Sequence, residues 1–212
     1  MTKTIQQNFG QAVIDTLTTF ARNGIPIPNQ LDTTWFDHIQ EKSIRDALSE
    51  TLYGARWIYK IGLALQVNNN ELYAHVRSQV IDYISISETL LAEMIIHAIN
   101  KNHLKGSQWE FSDIPRPGKV SVRKIAWSRF KSRRHAIARQ SFKWYIAVSK
   151  EEGIIDSTLA GTLEKMRGHR NSVHITEKAM NSSVYTLGNS AESFKAMQET
   201  INQTKKWFNK NK

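Results

Sequence analysis

Hydrophobic positions recur at spacings of three and four along most of the chain, the signature of one face of a helix. Phe9, Val13, Ile14, Leu17 and Phe20 mark a short first helix, which Gly24-Ile25-Pro26-Ile27-Pro28 ends. Asp32 or Thr33 is placed to cap the next, whose apolar members include Trp35, Phe36, Ile39 and Ile44. Residues 47–66 continue helically through Leu48, Leu52, Ala55, Tyr59 and Leu63, and Asn68-Asn69-Asn70 reads as a turn. Residues 71–100 carry the longest pattern: Val76, Val80, Tyr83, Ser87, Leu90 and Met94 form one stripe, broadened by Ile81, Ile84, Leu91 and Ile95. A helix apolar over so much of its circumference belongs at the centre of a bundle. Residues 105–119 form a loop with two of the four prolines, and residues 122–148 read as one helix with Ala126, Phe130, Ile137, Trp144 and Val148 on one side. Gly153 ends it, Asp156 or Ser157 caps the next helix, and residues 181–189 break the pattern. Phe194, Met197, Ile201, Thr204 and Phe208 mark a last amphipathic helix. No strand is expected, so the fold class is all-α. Residues 1–30 read as an extension with a short helix, and residues 31–212 as the bundle, with a loop and basic helix at 105–150.

Two charged residues contradict this apolar patterning. In residues 159–177, LAGTLEKMRGHRNSVHITE, one stripe is made by Leu159, Leu163, Met166 and Val173. Arg170 falls in its middle, with Arg167 and His174 beside it. Arg170 and His174 are four apart, so their side chains can meet. Arg167 is roughly 10 Å from His174 along the axis at 1.5 Å per residue. A permanent cation in a core-facing stripe requires a partner or a site. Glu88 poses the same problem between Ile84, Leu91 and Ile95, and an arginine from another helix is its natural partner.

Composition adds one strong signal. The 212 residues carry a net charge of +10, from 29 basic and 19 acidic residues. Residues 116–143 hold ten of the basic residues and no acid, so the remainder is balanced. A local excess of this kind points to a polyanion partner. The absence of cysteine excludes disulfides and thiolate metal sites. No apolar run reaches the ~18 residues of a membrane span, and MTKTIQQNFGQAV lacks the apolar core of a signal peptide. A cytoplasmic protein without membrane contact is expected. His75, His97, His103 and His135 show no metal-ligand spacing, and there is no glycine-rich phosphate loop. Neither metal nor cofactor is expected.

Arginine suits phosphate because its planar fork donates in pairs and stays charged. Histidine can serve as acid or base near neutrality. Together they suit cleavage of RNA by its own 2′-hydroxyl, which needs a base, an acid and positive charge on the phosphorane. Of the two histidines in the stretch, His169 and His174, one, His174, lies on the side of the stripe that carries Arg167, so a homodimer would complete the pair.

Arg167, GHRNSV and His174 resemble the Arg, four-to-six residues, His signature of the HEPN superfamily, and Arg170-Asn171-Ser172-Val173-His174 is similar to its RNxxH form. The long helix VRSQVIDYISISETLLAEMIIHAI also resembles the second helix of such domains, which often carries a glutamate near the place of Glu88. The resemblance implies a HEPN-type helical bundle of five to seven helices with long central ones. It implies a metal-independent endoribonuclease, dimeric, in a toxin–antitoxin or anti-phage defence role with an antitoxin or other defence partner. Arg167 and Arg170 would bind the scissile phosphate, His174 would be acid or base, Asn171 would orient phosphate or ribose, and Glu88 would hold an arginine. Arg123, Lys124, Arg129, Lys131, Arg133, Arg134 and Arg139 would track the RNA backbone. Members paired with nucleotidyltransferase antitoxins have a tyrosine two residues after the histidine. Here that position is Thr176, which speaks against adenylylation there. Gly168 stands inside the motif, at a point where the helix could break. The rival reading is a HEPN-like module that binds RNA, a nucleotide or a partner without turnover. A helical DNA-binding regulator would need a helix-turn-helix, and no such turn is visible.

Overall fold

The computed structural model describes residues 4, 10–112, 123–129, 131–171 and 185–212, with Asn171 described by its backbone. Eight α-helices lie among the described residues, and the fold is all-α. They are α1 (Gln11–Arg22), α2 (Pro28–Thr34), α3 (Lys42–Ala64), α4 (Asn69–Asn100), α5 (Arg133–Ile137), α6 (Phe142–Glu151), α7 (Ser157–Asn171) and α8 (Leu187–Lys210). A two-residue antiparallel ribbon, β1 (Phe111–Ser112) with β2 (Arg123–Lys124), pairs Phe111 with Lys124 and Ser112 with Arg123. The sequence pattern contains no alternation long enough to announce it.

α4 is the axis of the bundle. It packs against α3, α6, α7 and α8. Val76, Val80, Tyr83, Leu90, Leu91, Met94 and Ile95 are all buried on it. Each large apolar side chain removed from water contributes about 1.5–3 kcal/mol. Seven of them along one helix explain why the other long helices gather on α4. On α8 the expected stripe is the packed one: Met197, Ile201, Thr204 and Phe208 are buried and Phe194 rests against the core.

Two boundaries differ from the pattern-based expectation. Pro28 opens α2, where a fixed φ and a missing N–H are tolerated. Asp32 is therefore inside a helix. It accepts from Arg45 Nε at 2.7 Å instead of capping the next helix, while Arg45 also donates to the Ile39 carbonyl at 2.7 Å. Phe36 and Ile39 are buried in the connector before α3.

The expected single helix over 122–148 is divided, which is the main correction. Its described parts are β2, a short 3₁₀ turn at Trp127–Arg129, α5 and α6. Serines make the divisions. Ser132 Oγ accepts from His135 N and Ser141 Oγ from Trp144 N, each at 3.2 Å. A serine hydroxyl that caps a new helix competes with continuation of the old one. The Tyr145 hydroxyl donates to the Ile137 carbonyl at 2.7 Å, and Gln140 Nε2 to the Ala136 carbonyl at 2.8 Å. These bonds satisfy carbonyls that the end of α5 would leave open. The split accounts for a helix count above the five to seven expected.

Candidate functional site

α7 brings the arginine motif to α4. Gly153, at φ +67°, turns the chain after α6. Asp156 Oδ1 then accepts from Leu159 N at 2.7 Å, starting α7. That N–H is the chief reason the Asp156 carboxyl sits below its ordinary range. Leu159, Leu163 and Met166 are buried as the stripe requires. α7 runs through Gly168 without a break, and a side chain there would meet open space.

Arg170, in the last turn of α7, donates from a terminal guanidinium nitrogen to Glu88 Oε2 at 2.6 Å. The Arg170 side chain is 38% exposed and that of Glu88 20%. Among the described residues this is the only hydrogen bond of either side chain. Tyr145 of α6 is buried close by. Burial pushes its hydroxyl above the usual range; the charge of Glu88 adds to that and Arg170 opposes it. The site is thus a part-exposed arginine held by a carboxylate of the central helix.

Arg167 is placed differently. Its Nε donates at 2.8 Å to Glu164 Oε2, one turn back on the same helix. Asn171 is the last residue of α7. Its side chain and His174 lie outside the described residues. So does Thr176.

The basic candidates are not gathered on one helix. Arg123 and Lys124 lie on β2, Arg129 in the 3₁₀ turn, Lys131 after it, Arg133 and Arg134 at the start of α5, and Arg139 before α6. All but Arg134 are exposed. Lys124 Nζ is 3.4 Å from Glu110 Oε2. Arg134 grips Glu93 with both ends of its fork, Nη1 on Oε1 and Nη2 on Oε2, the latter at 2.9 Å. Arg134 is therefore engaged within the fold.

Sequence reasoning missed Glu93, Glu164 and Tyr145 as neighbours of the arginines. Glu93 was detectable: it stands between Leu90, Leu91, Met94 and Ile95, the same surroundings that singled out Glu88. Tyr145 is part of the core, and its position against the ion pair depends on how α6 crosses α4.

Among the described residues no cluster of three or more His, Asp or Glu side chains could hold a metal ion. No described helix is long and apolar enough to cross a membrane. The fold and this site define an all-α bundle presenting a carboxylate-held arginine. Compared with known protein families, curated proteins and solved structures, the chain has no match.

Proposed function

We propose that the chain is a metal-independent endoribonuclease of the HEPN type, active as a homodimer in toxin–antitoxin or anti-phage defence. The observation that carries this reading is the Arg170–Glu88 pair. Glu88 fixes one edge of the guanidinium and leaves the Arg170 side chain part-exposed in the last turn of α7. A guanidinium oriented in this way can take a phosphate without reorganising as charge develops on it. Of the two motif arginines, Arg170 is the better placed, because Glu88 reaches it from the central helix whereas among the described residues Arg167 bonds to its own helix. Arg170 binds the scissile phosphate. His174 moves the proton of the 2′-hydroxyl or of the 5′-leaving oxygen. The exposed cations of 123–139 hold the RNA backbone.

The test is cleavage of a mixed RNA pool in EDTA by wild type, Arg170→Ala and His174→Ala. Cutting that leaves 2′,3′-cyclic phosphate ends, and that falls by roughly 10²–10³ in each variant, is the expected result. Circular dichroism confirms that each variant is folded. Cutting undiminished in His174→Ala overturns the mechanism. Salt-sensitive RNA binding without cutting by folded wild type replaces it with the binding-module reading.

A further inference from the structure

A second site lies away from Arg170, between α3, the start of α4 and the start of α8. It is a cavity of about 350 Å³, within the size range of small-molecule sites. Leu63, Val67, Leu72 and Leu187 supply apolar wall, and no charged side chain is among its described lining. The absence of charge argues against phosphate or carboxylate ligands.

Two polar side chains in the lining have unused hydrogen-bonding capacity. Gln79 is 2% exposed. Its Oε1 accepts from Ser190 Oγ at 2.6 Å, which fixes the amide plane. Among the described residues its Nε2 donates to nothing. That nitrogen is not one of the fully enclosed atoms without a partner, so it is a donor open to whatever fills the cavity. His75 stands one turn earlier on the same face of α4. Its Nδ1 is buried without a hydrogen bond. It faces Gly62 of α3, where a Cβ would come within 3.2 Å of it. Tyr59 also lines the cavity.

We infer that this cavity binds an uncharged, largely apolar small molecule, heteroaromatic in size and shape, whose carbonyl or ring acceptor takes the Gln79 amide. The bound ligand bridges α3, α4 and α8. The inference does not rest on the Arg170 reading.

The test is NMR titration of the whole ¹⁵N-labelled protein with three probes of similar outline. 2-Quinolone carries a lactam, naphthalene carries no polar atom, and 1-naphthyl phosphate carries charge. 2-Quinolone is expected to saturate with a Kd on the order of 0.1 mM and to shift the Gln79 side-chain amide signal. Naphthalene is expected to bind at least about tenfold more weakly, since it leaves the amide unpaired. The phosphate is not expected to bind. Leu63→Trp, at a position 46% exposed on the cavity rim, fills the space and abolishes 2-quinolone binding while leaving the fold intact. Gln79→Leu reduces the preference for 2-quinolone over naphthalene. No saturation by 2-quinolone, equal binding of naphthalene or the phosphate, or undiminished binding by folded Leu63→Trp overturns the inference.

Discussion

Glu88 and Glu93 stand five residues apart on α4, and each is met by an arginine, but the two pairs are built differently. Glu93 is 7% exposed, and both of its oxygens are taken by Arg134. Glu88 is more open and gives one oxygen to one nitrogen of Arg170. The first pair closes on itself: a buried carboxylate satisfied by a bidentate fork, pinning the short α5 to the axis of the bundle. The second uses one oxygen and one nitrogen among the described residues, the arrangement that the proposed phosphate site needs. The geometry of the fork separates two arginine partners of one helix.

Measuring the difference requires a pH at which the rest of the fold is quiet, and the largest expected effect sets that limit. His38 is 2% exposed, and its Nε2 bonds Thr204 Oγ1 at 3.1 Å. That hydroxyl already donates to the Thr200 carbonyl at 2.7 Å, so Nε2 carries the proton and the neutral ring is the folded form. Burial lowers its pKa from 6.5 to about 4; Asp37 opposes this shift and Lys205 assists it. A histidine whose folded pKa is depressed gives stability that is complete above pH 6.5 and is lost as pH falls through 4. The expected loss is about 3 kcal/mol. Urea unfolding at pH 7.5, 5.5 and 4.5 reads it, and His38→Asn flattens the slope. A wild-type slope no steeper than that of the variant would show that His38 does not carry the effect.

At pH 7.5 the pairs are compared by double-mutant cycles. Arg134→Met leaves the buried Glu93 charge alone and is expected to cost about 2 kcal/mol, below the range for fully buried pairs because Arg134 is 41% exposed. Adding Glu93→Leu is expected to restore most of it. Arg170→Met is expected to cost less than about 1 kcal/mol, in the range of solvent-screened pairs, while abolishing the RNA cleavage proposed above. Equal coupling in the two cycles would remove the distinction between clamp and site.

The all-α class, the central position of the long helix and the packed stripes of α7 and α8 were legible because apolar spacing over many turns has few alternatives. Arg170 and Glu88 were each conspicuous for one reason, a charge in an apolar stripe, and the same reasoning extended to Glu93 would have found the second pair. The break of the basic segment was less legible. Phe130, Ile137, Trp144 and Val148 fit one helical face, yet Ser132 and Ser141 cap new helices within it. Local hydrogen bonds of that kind leave no mark on the apolar period. Nor could spacing reveal that Gln79 and His75 line a cavity, because cavities arise from the crossing of helices distant in sequence.

The smallest effect sharpens the comparison on α7 itself. Arg167 and Arg170 occupy neighbouring turns, and the sequence offers no ground for choosing between them. Glu164 binds Arg167 at spacing i,i+3, with side chains 32% and 36% exposed. A pair of this kind contributes about 0.2–0.5 kcal/mol. Glu164→Gln is therefore expected to leave stability almost unchanged and to free the guanidinium of Arg167 to swing. Glu88→Gln removes the charge that holds Arg170, at a similarly modest cost in stability. If fixation by a carboxylate of the central helix is what makes an arginine useful, Glu88→Gln lowers RNA cleavage at least about tenfold, and Glu164→Gln does not. The two variants, assayed side by side in low and high salt, differ in nothing but which arginine loses its anchor. Equal losses would assign the phosphate to both arginines together. A loss confined to Glu164→Gln would move the site from Arg170 to Arg167.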